Sequence, residues 1–164
     1  MNPTNGGWLI FLTLVVALIL SIFHLPEGAP AWLAWLRPVW VSLILFYWVI
    51  ELPHRVGLIS AWILGFVVDV AVGDPLGLNG LLLAFITYVT WRFYERLRML
   101  PVLQQGATLF VLVLVGELTR AIVVAISGSG EFSLAVVIPA LSSFFTWPFI
   151  YLLLERVRRQ VLVR

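Results

Sequence analysis

The stretch Val56 to Gly80, VGLISAWILGFVVDVAVGDPLGLNG, decides how this chain is organised. It opens with about 17 apolar residues, roughly enough helix to cross a bilayer at 1.5 Å rise per residue. Asp69 is the single charged residue in that apolar run. Every fourth position around it is small, which lets a second helix approach closely, so we expect Asp69 to face protein rather than lipid. This predicted packing row consists of Gly57, Ala61, Gly65, Asp69 and Gly73.

A tight turn is predicted directly after this helix. In Gly73-Asp74-Pro75-Leu76-Gly77, the residues Asp74, Pro75 and Gly77 occupy the first, second and fourth positions of a four-residue turn. Asp, Pro and Gly at these positions favour a type I turn. Asn is a preferred N-cap residue, so Asn79 is predicted to cap the next helix.

The composition indicates an integral membrane protein. Of the 164 residues, 62% are hydrophobic and 11% are charged, which is too little polar surface for a soluble domain. The absence of cysteine excludes disulfides and thiolate chemistry, and a net charge of +2 gives no electrostatic support for a nucleic-acid partner. No nucleophile-elbow, zinc-protease or phosphate-loop motif occurs, and His24 and His54 stand alone. We therefore predict no enzyme activity, no cofactor and no metal site.

Hydropathy predicts one all-α domain, residues 1–164, with six transmembrane helices. An Ala29-Pro30-Ala31 pattern could mark signal cleavage, but the missing basic region and the long apolar run argue against it. The short second span leaves open a tilted, re-entrant or partly interfacial segment. No internal repeat is evident, which weakens an inverted-repeat transporter interpretation. The predicted spans are 8–25, 38–52, 56–72, 79–94, 101–126 and 132–154.

The arginines predict the orientation. They concentrate after the second, fourth and sixth spans, whereas the opposite side holds only Arg37. By the positive-inside rule, both termini face the cytoplasm and the turn at residues 73–77 faces outward. The basic ends are either topology signals alone or also contact membrane lipid or a partner protein. The predicted cytoplasmic basic patch consists of Arg92, Arg96, Arg98, Arg156, Arg158 and Arg159.

Three charged residues fall at a similar depth in the predicted bundle. Asp69 lies in the third span, and Glu117 and Arg120 lie three residues apart in the fifth. A charge inside a bilayer costs at least a few kcal/mol, so these groups should be paired. We predict a cluster of Asp69, Glu117 and Arg120 between the two spans. Such a cluster is either a latch that fixes helix register or a ligand or coupling site.

The run from Arg37 to Leu83 resembles the bacterial rod shape-determining MreD family. The resemblance rests on three pieces of sequence and covers about a quarter of the chain at motif level, and the length, hydropathy and basic end of the chain agree with it. The three pieces are Arg37-Pro38-x-Trp40, then Tyr47-Trp48 followed by Leu52-Pro53-x-Arg55-Val56-Gly57, then Gly65 and Asp69 ahead of Pro75-Leu76-Gly77.

The resemblance implies a non-catalytic scaffold in the bacterial inner membrane, within the complex that elongates the cell wall and controls cell shape. The partners it implies are MreC and, directly or through MreC, the glycosyltransferase RodA, its class B penicillin-binding transpeptidase and MreB filaments. It also implies a fold similar to the substrate-binding subunits of ECF vitamin transporters. The alternative function is therefore a small-molecule-binding subunit of a membrane transporter.

Overall fold

The structure is a computed structural model that describes residues 5–22, 39–126 and 136–162. These ranges contain helices and no strand, in agreement with the predicted all-α class. Helices suit so apolar a chain because each satisfies its backbone polar groups within its own segment. The α-helices of the described residues are α1 (Asn5–Ile22), α2 (Trp40–Glu51), α3 (Leu58–Val72), α4 (Leu78–Met99), α5 (Val102–Ile126) and α6 (Val137–Leu162).

Helix α2 lies at the centre of the bundle. Every residue from Val41 to Glu51 is buried, and α2 packs mainly against α1, α4 and α6. A helix that is hydrophobic all round is stable where protein surrounds it. Its 12 residues are about 18 Å long at 1.5 Å per residue, and the segment is an enclosed core helix. Glu51, the last residue of α2, is buried as well.

Helices α3 and α4 are the most closely packed pair. A Cβ atom added to Gly65 would lie 2.3 Å from the Cα atom of Gly80, so the two backbones touch where no side chain intervenes. Ala61, one turn earlier, is also buried. This contact brings the last turn of α3 beside the first turn of α4 and thereby positions the polar residues described below.

The ends of the predicted packing row have other roles. Gly57 precedes α3 and is exposed, with Ser60 Oγ 3.9 Å from where its Cβ would be. Gly73 ends α3 in the left-handed conformation, and a Cβ there would meet nothing within 4 Å. The row therefore packs at its middle, whereas its ends mark the boundaries of the helix.

Helices α4 and α6 extend beyond the predicted spans. Helix α4 continues past residue 94, where the fourth span was predicted to end, to Met99, and α6 continues past residue 154 to Leu162. The charged residues end the apolar runs of sequence but not the helices, because Arg and Glu are good helix formers. Helix α4 ends before Pro101, whose ring disfavours helical geometry in the preceding residue, and Leu100 is extended accordingly.

Two of the described helices are long and apolar enough to cross a membrane, Val102–Ile126 and Val137–Val161. In the most apolar part of each, 22% of residues are buried, so most of these side chains are at least partly exposed. Shorter apolar helices occur at Gly7–Ile22, Trp40–Glu51 and Leu58–Val72. Residues 23–25, 38 and 132–135 of the predicted spans, together with Arg37, lie outside the described residues.

Candidate functional site

The turn between α3 and α4 positions the polar residues of the site. The Gly73 N–H donates to the Asp69 carbonyl at 2.9 Å and closes α3. Gly77 has φ 92° and ψ −10°, as at the third position of a type II turn, and the Leu78 N–H donates to the Pro75 carbonyl at 3.2 Å. The predicted type I turn, which began one residue earlier, is wrong because the Gly77 N–H has a different acceptor.

That acceptor is the side chain of Asp69, which is fully buried. Asp69 Oδ2 accepts from the Gly77 N–H at 2.7 Å, and Oδ1 accepts from the Asn79 N–H at 2.9 Å. The first N–H groups of a helix have no partner within the helix, and a carboxylate there also interacts favourably with the helix dipole. Asp69 therefore caps α4 from the last turn of the preceding helix.

Asn79 connects the acids of the turn to α5. Its side-chain amide donates to Asp69 Oδ1 at 2.8 Å and to Asp74 Oδ2 at 2.9 Å, and its Oδ1 accepts from Arg120 Nη2 at 2.7 Å. The prediction that Asn79 caps the next helix is wrong, because the N-cap position belongs to Gly77 and Asn79 lies inside α4. Asn79 instead joins groups from three parts of the chain.

The principal ion pair of Arg120 is with Asp74, between Nη1 and Oδ2 at 2.8 Å. Glu117 lies 3.9 Å from Arg120 Nε, which makes no hydrogen bond although it is buried. No hydrogen bond or ion pair joins Asp69 to Arg120 in the described structure. The predicted cluster of three charges is thus corrected: Asp74 is the acid that pairs with Arg120, and Asp69 reaches Arg120 through the Asn79 amide.

We call these residues (Asp69, Asp74, Asn79, Glu117 and Arg120) the turn network. They hold three carboxylates and one guanidinium, which leaves a formal excess of negative charge that the amino end of α4 partly offsets. The network borders a cavity of about 240 Å³. Its other walls come from all six helices, with the largest shares from α2 and α4. The cavity could admit a small polar or cationic group beside Glu117.

The network resembles a structural connection more than a reaction centre. Both oxygens of Asp69 and both polar atoms of the Asn79 side chain are engaged with other protein groups. Among the residues described, no group of three His, Cys, Asp or Glu side chains is placed to hold a metal ion. What the arrangement can do is hold α3, α4 and α5 in register around the cavity.

A second polar network, which the sequence reasoning missed, lies at the opposite end of α4. Glu51 Oε2, on a side chain 4% exposed, pairs closely with Arg158 Nη1 and lies 3.7 Å from Arg98 Nη2. Arg158 Nη2 also pairs with Glu155 at 2.6 Å, and the Tyr47 hydroxyl donates to Glu155 Oε2 at 3.0 Å. The signal was present in the spacing of Glu155, Arg158 and Arg159, three and four residues apart on one helix face.

This Glu51–Arg158 network divides the predicted basic patch. Arg158 and Arg159 both pair with Glu155, and Arg98 approaches Glu51. The remaining three arginines are exposed, and no ion pair to a described residue involves them. These are Arg92, Arg96 and Arg156.

Comparisons with known proteins agree with these observations. The family model described as rod shape-determining protein MreD matches residues 3–157 of the chain. The chain is also similar to the rod shape-determining protein MreD of Haemophilus influenzae, with 29% identity over 147 residues, which are 90% of this chain and 88% of that protein. No solved structure matches it significantly.

The family match spans nearly the whole chain. It includes α1 to α5 in full and α6 as far as Val157. It therefore covers the whole turn network and, in the Glu51–Arg158 network, the residues Tyr47, Glu51, Arg98 and Glu155. The resemblance seen between Arg37 and Leu83 is confirmed, and the chain belongs to the MreD family of rod shape-determining proteins.

Proposed function

We propose that the chain is a non-catalytic scaffold subunit of the bacterial cell-wall elongation complex and that it binds MreC. Membership of a rod shape-determining family supports a role in cell shape. The observation that carries the scaffold role is the turn network, in which the buried acid caps a neighbouring helix instead of facing a substrate. A body held in this way presents fixed outer faces to partners.

The proposal includes six membrane-spanning helices in the inner membrane, with both termini in the cytoplasm. The distribution of arginines supports this orientation by the positive-inside rule. The end of α4 that carries Arg92 and Arg96 then lies at the cytoplasmic surface, and the turn at residues 73–77 lies at the outer surface. MreC, RodA and the class B transpeptidase would meet the chain within the membrane or at the outer turn, and MreB filaments would approach the cytoplasmic end.

Exposed apolar faces support docking through transmembrane surfaces. Ile59 and Val70 of α3 are 74% and 73% exposed, and Phe149 of α6 is 74% exposed. These side chains lie on helices whose opposite faces are anchored in the bundle. Such faces can contact lipid or the transmembrane helix of a partner, where association is driven by close packing.

Co-purification tests the scaffold proposal. Arg120→Ala breaks the Asp74 ion pair and the Asn79 hydrogen bond, so we expect less MreC to co-purify with the variant. Thr119→Ala, the adjacent exposed position, is the matched control, because its hydroxyl bonds only its own helix, at the Val115 carbonyl. Size-exclusion chromatography of both variants separates lost binding from lost folding. A folded Arg120→Ala variant that retains normal amounts of MreC would contradict the proposal.

A second candidate function is a small-molecule-binding subunit of a transporter, similar in fold to ECF substrate-binding subunits. The cavity of about 240 Å³ beside Glu117 favours it, since a ligand there would contact charged and apolar walls together. A panel of vitamins added to the purified chain should then raise its melting temperature through binding to the folded state. A panel without any shift would count against this function and leave the scaffold proposal intact.

A further inference from the structure

A groove follows α4 at the arginine end of the bundle, beside the segment that joins α2 to α3. Its deeper part, about 440 Å³, lies between Pro53, Leu58, Thr87 and Tyr88. Its outer part, about 500 Å³, lies along residues 91–96 of α4. His54 and Trp91 line both parts, so the two form one continuous groove.

The groove changes from apolar to charged along a single face of α4. Trp91 and Arg92 follow Tyr88 by three and four residues, and Arg96 follows Arg92 by four. This spacing places all four on the same side of the helix. Trp and Tyr prefer the boundary between hydrocarbon and headgroups, and Arg prefers the headgroup region beyond it. This order matches the order of groups in a phospholipid, from acyl chain to phosphate.

The charges at the mouth of the groove select an anion. Arg92 and Arg96 line the outer part and are exposed, and neither has an ion-pair partner among the described residues. Glu95 lies between them, and its Oε1 accepts from the Tyr94 hydroxyl at 3.1 Å. Two arginines against one carboxylate leave the mouth positive.

We propose that this groove binds one anionic phospholipid of the cytoplasmic leaflet. The phosphate contacts Arg92 and Arg96, and an acyl chain lies along Trp91, Tyr88 and Leu58, deeper in the groove. The inference rests on the membrane orientation in the proposed function, and it does not depend on MreC or any other partner protein.

Lipid binding to the full purified chain tests the proposal. The chain in neutral detergent is titrated with phosphatidylglycerol or with phosphatidylcholine of the same acyl chains, and bound lipid is counted by native mass spectrometry. We expect phosphatidylglycerol to bind more tightly, with a stoichiometry of one. Arg92→Gln and Arg96→Gln should each weaken that binding about fivefold, since a basic residue near an anionic surface contributes about 1 kcal/mol.

A further variant makes the result specific. Arg156→Gln removes another exposed arginine that does not line the groove, and its binding should equal that of the parent chain.

Several outcomes would overturn the proposal. These are equal affinity for the two lipids, an Arg156→Gln effect as large as that of Arg92→Gln, and displacement of the lipid by soluble glycerophosphate. An acidic soluble peptide that competes with the lipid at lower concentration would also overturn it, in favour of a protein partner. Because the assay contains the chain and lipid alone, its result is independent of MreC co-purification.

Discussion

One oxygen of Asp69, Oδ1, accepts two hydrogen bonds from Asn79, from the main-chain N–H at 2.9 Å and from the side-chain amide at 2.8 Å. The two residues lie on different helices, on either side of the turn. Asn79 is thereby fixed with its own oxygen directed at Arg120 of α5, at 2.7 Å. The fully buried acid thus determines the position of a cation that it does not touch.

Asp69→Asn should destabilise the bundle. The substituted amide has one oxygen where the carboxylate has two, so either the Gly77 N–H or the Asn79 donors lose their acceptor, and the new NH₂ group faces donors. A buried donor without a partner costs about 1–3 kcal/mol, which is the expected loss in the free energy of unfolding in detergent. Ser60→Ala on the exposed face of α3 is the control and should change that free energy by less than about 0.5 kcal/mol. Equal stability of the two variants would exclude the capping role.

Gly65→Ala should separate α3 from α4. The added Cβ would lie 2.3 Å from Gly80 Cα and 2.4 Å from Gly80 N, both backbone atoms that cannot rotate away. Overpacking of a core costs about 1–3 kcal/mol, and we expect at least that loss of unfolding free energy, measured by denaturant titration. Gly57→Ala, at the residue that precedes the same helix, is the control, because its Cβ would meet nothing closer than 3.9 Å. A tolerated Gly65→Ala would show that the two backbones are not in contact.

Arg120 should couple energetically to Asp74. A double-mutant cycle with Arg120→Ala and Asp74→Ala should give a coupling energy of about 0.5–3 kcal/mol, as found for side chains in contact. The same cycle with Glu117→Ala should give a smaller value, since the Glu117 contact is longer, at 3.9 Å against 2.8 Å.

Charge reversal distinguishes the two acids of the turn. Asp74→Arg combined with Arg120→Asp should recover part of the stability lost by each single change, because these side chains form an ion pair. Asp69→Arg combined with Arg120→Asp should recover none, since Asp69 receives donors from Gly77 and Asn79 instead. Recovery in the second pair alone would reverse the assignment.

Arg158 should matter more for stability than Arg156, although both are arginines near the end of α6. Arg158 pairs with Glu51, whose side chain is 4% exposed, and with Glu155. Its removal leaves a buried carboxylate with Arg98 as the remaining cation, at 3.7 Å. We expect Arg158→Ala to lower the unfolding free energy by about 2 kcal/mol, within the range for hydrogen bonds to charged groups. Arg156→Ala should change it little, and similar losses for both variants would contradict this role.

Cysteine labelling in intact cells should report the proposed orientation. The chain has no cysteine of its own, so single cysteines can be read without background. Leu76 in the turn and Met99 at the end of α4 are 72% and 79% exposed, which makes them comparably reactive positions at opposite ends. A membrane-impermeant maleimide should label Leu76→Cys and not Met99→Cys. The reverse pattern would invert the orientation.

The sequence by itself determined the helical class, the family and the location of the polar turn. Each depends on local features: apolar runs long enough for helices, and Gly, Asp and Pro where a helix must stop. The small residue Gly65 and the buried acid Asp69 were identified from spacing along one helix, because residues four apart share a face.

Only the tertiary structure decided which groups meet. Arg120 pairs with Asp74 and not with Asp69, because the turn begins one residue later than predicted and the Gly77 N–H donates to the Asp69 side chain. Sequence periodicity encodes neither feature. The Glu51–Arg158 contact likewise joins residues 107 apart in the chain. Sequence reasoning did not pair these two residues, because hydropathy scores each charge alone, whereas burial of a charge is settled by a partner from another helix.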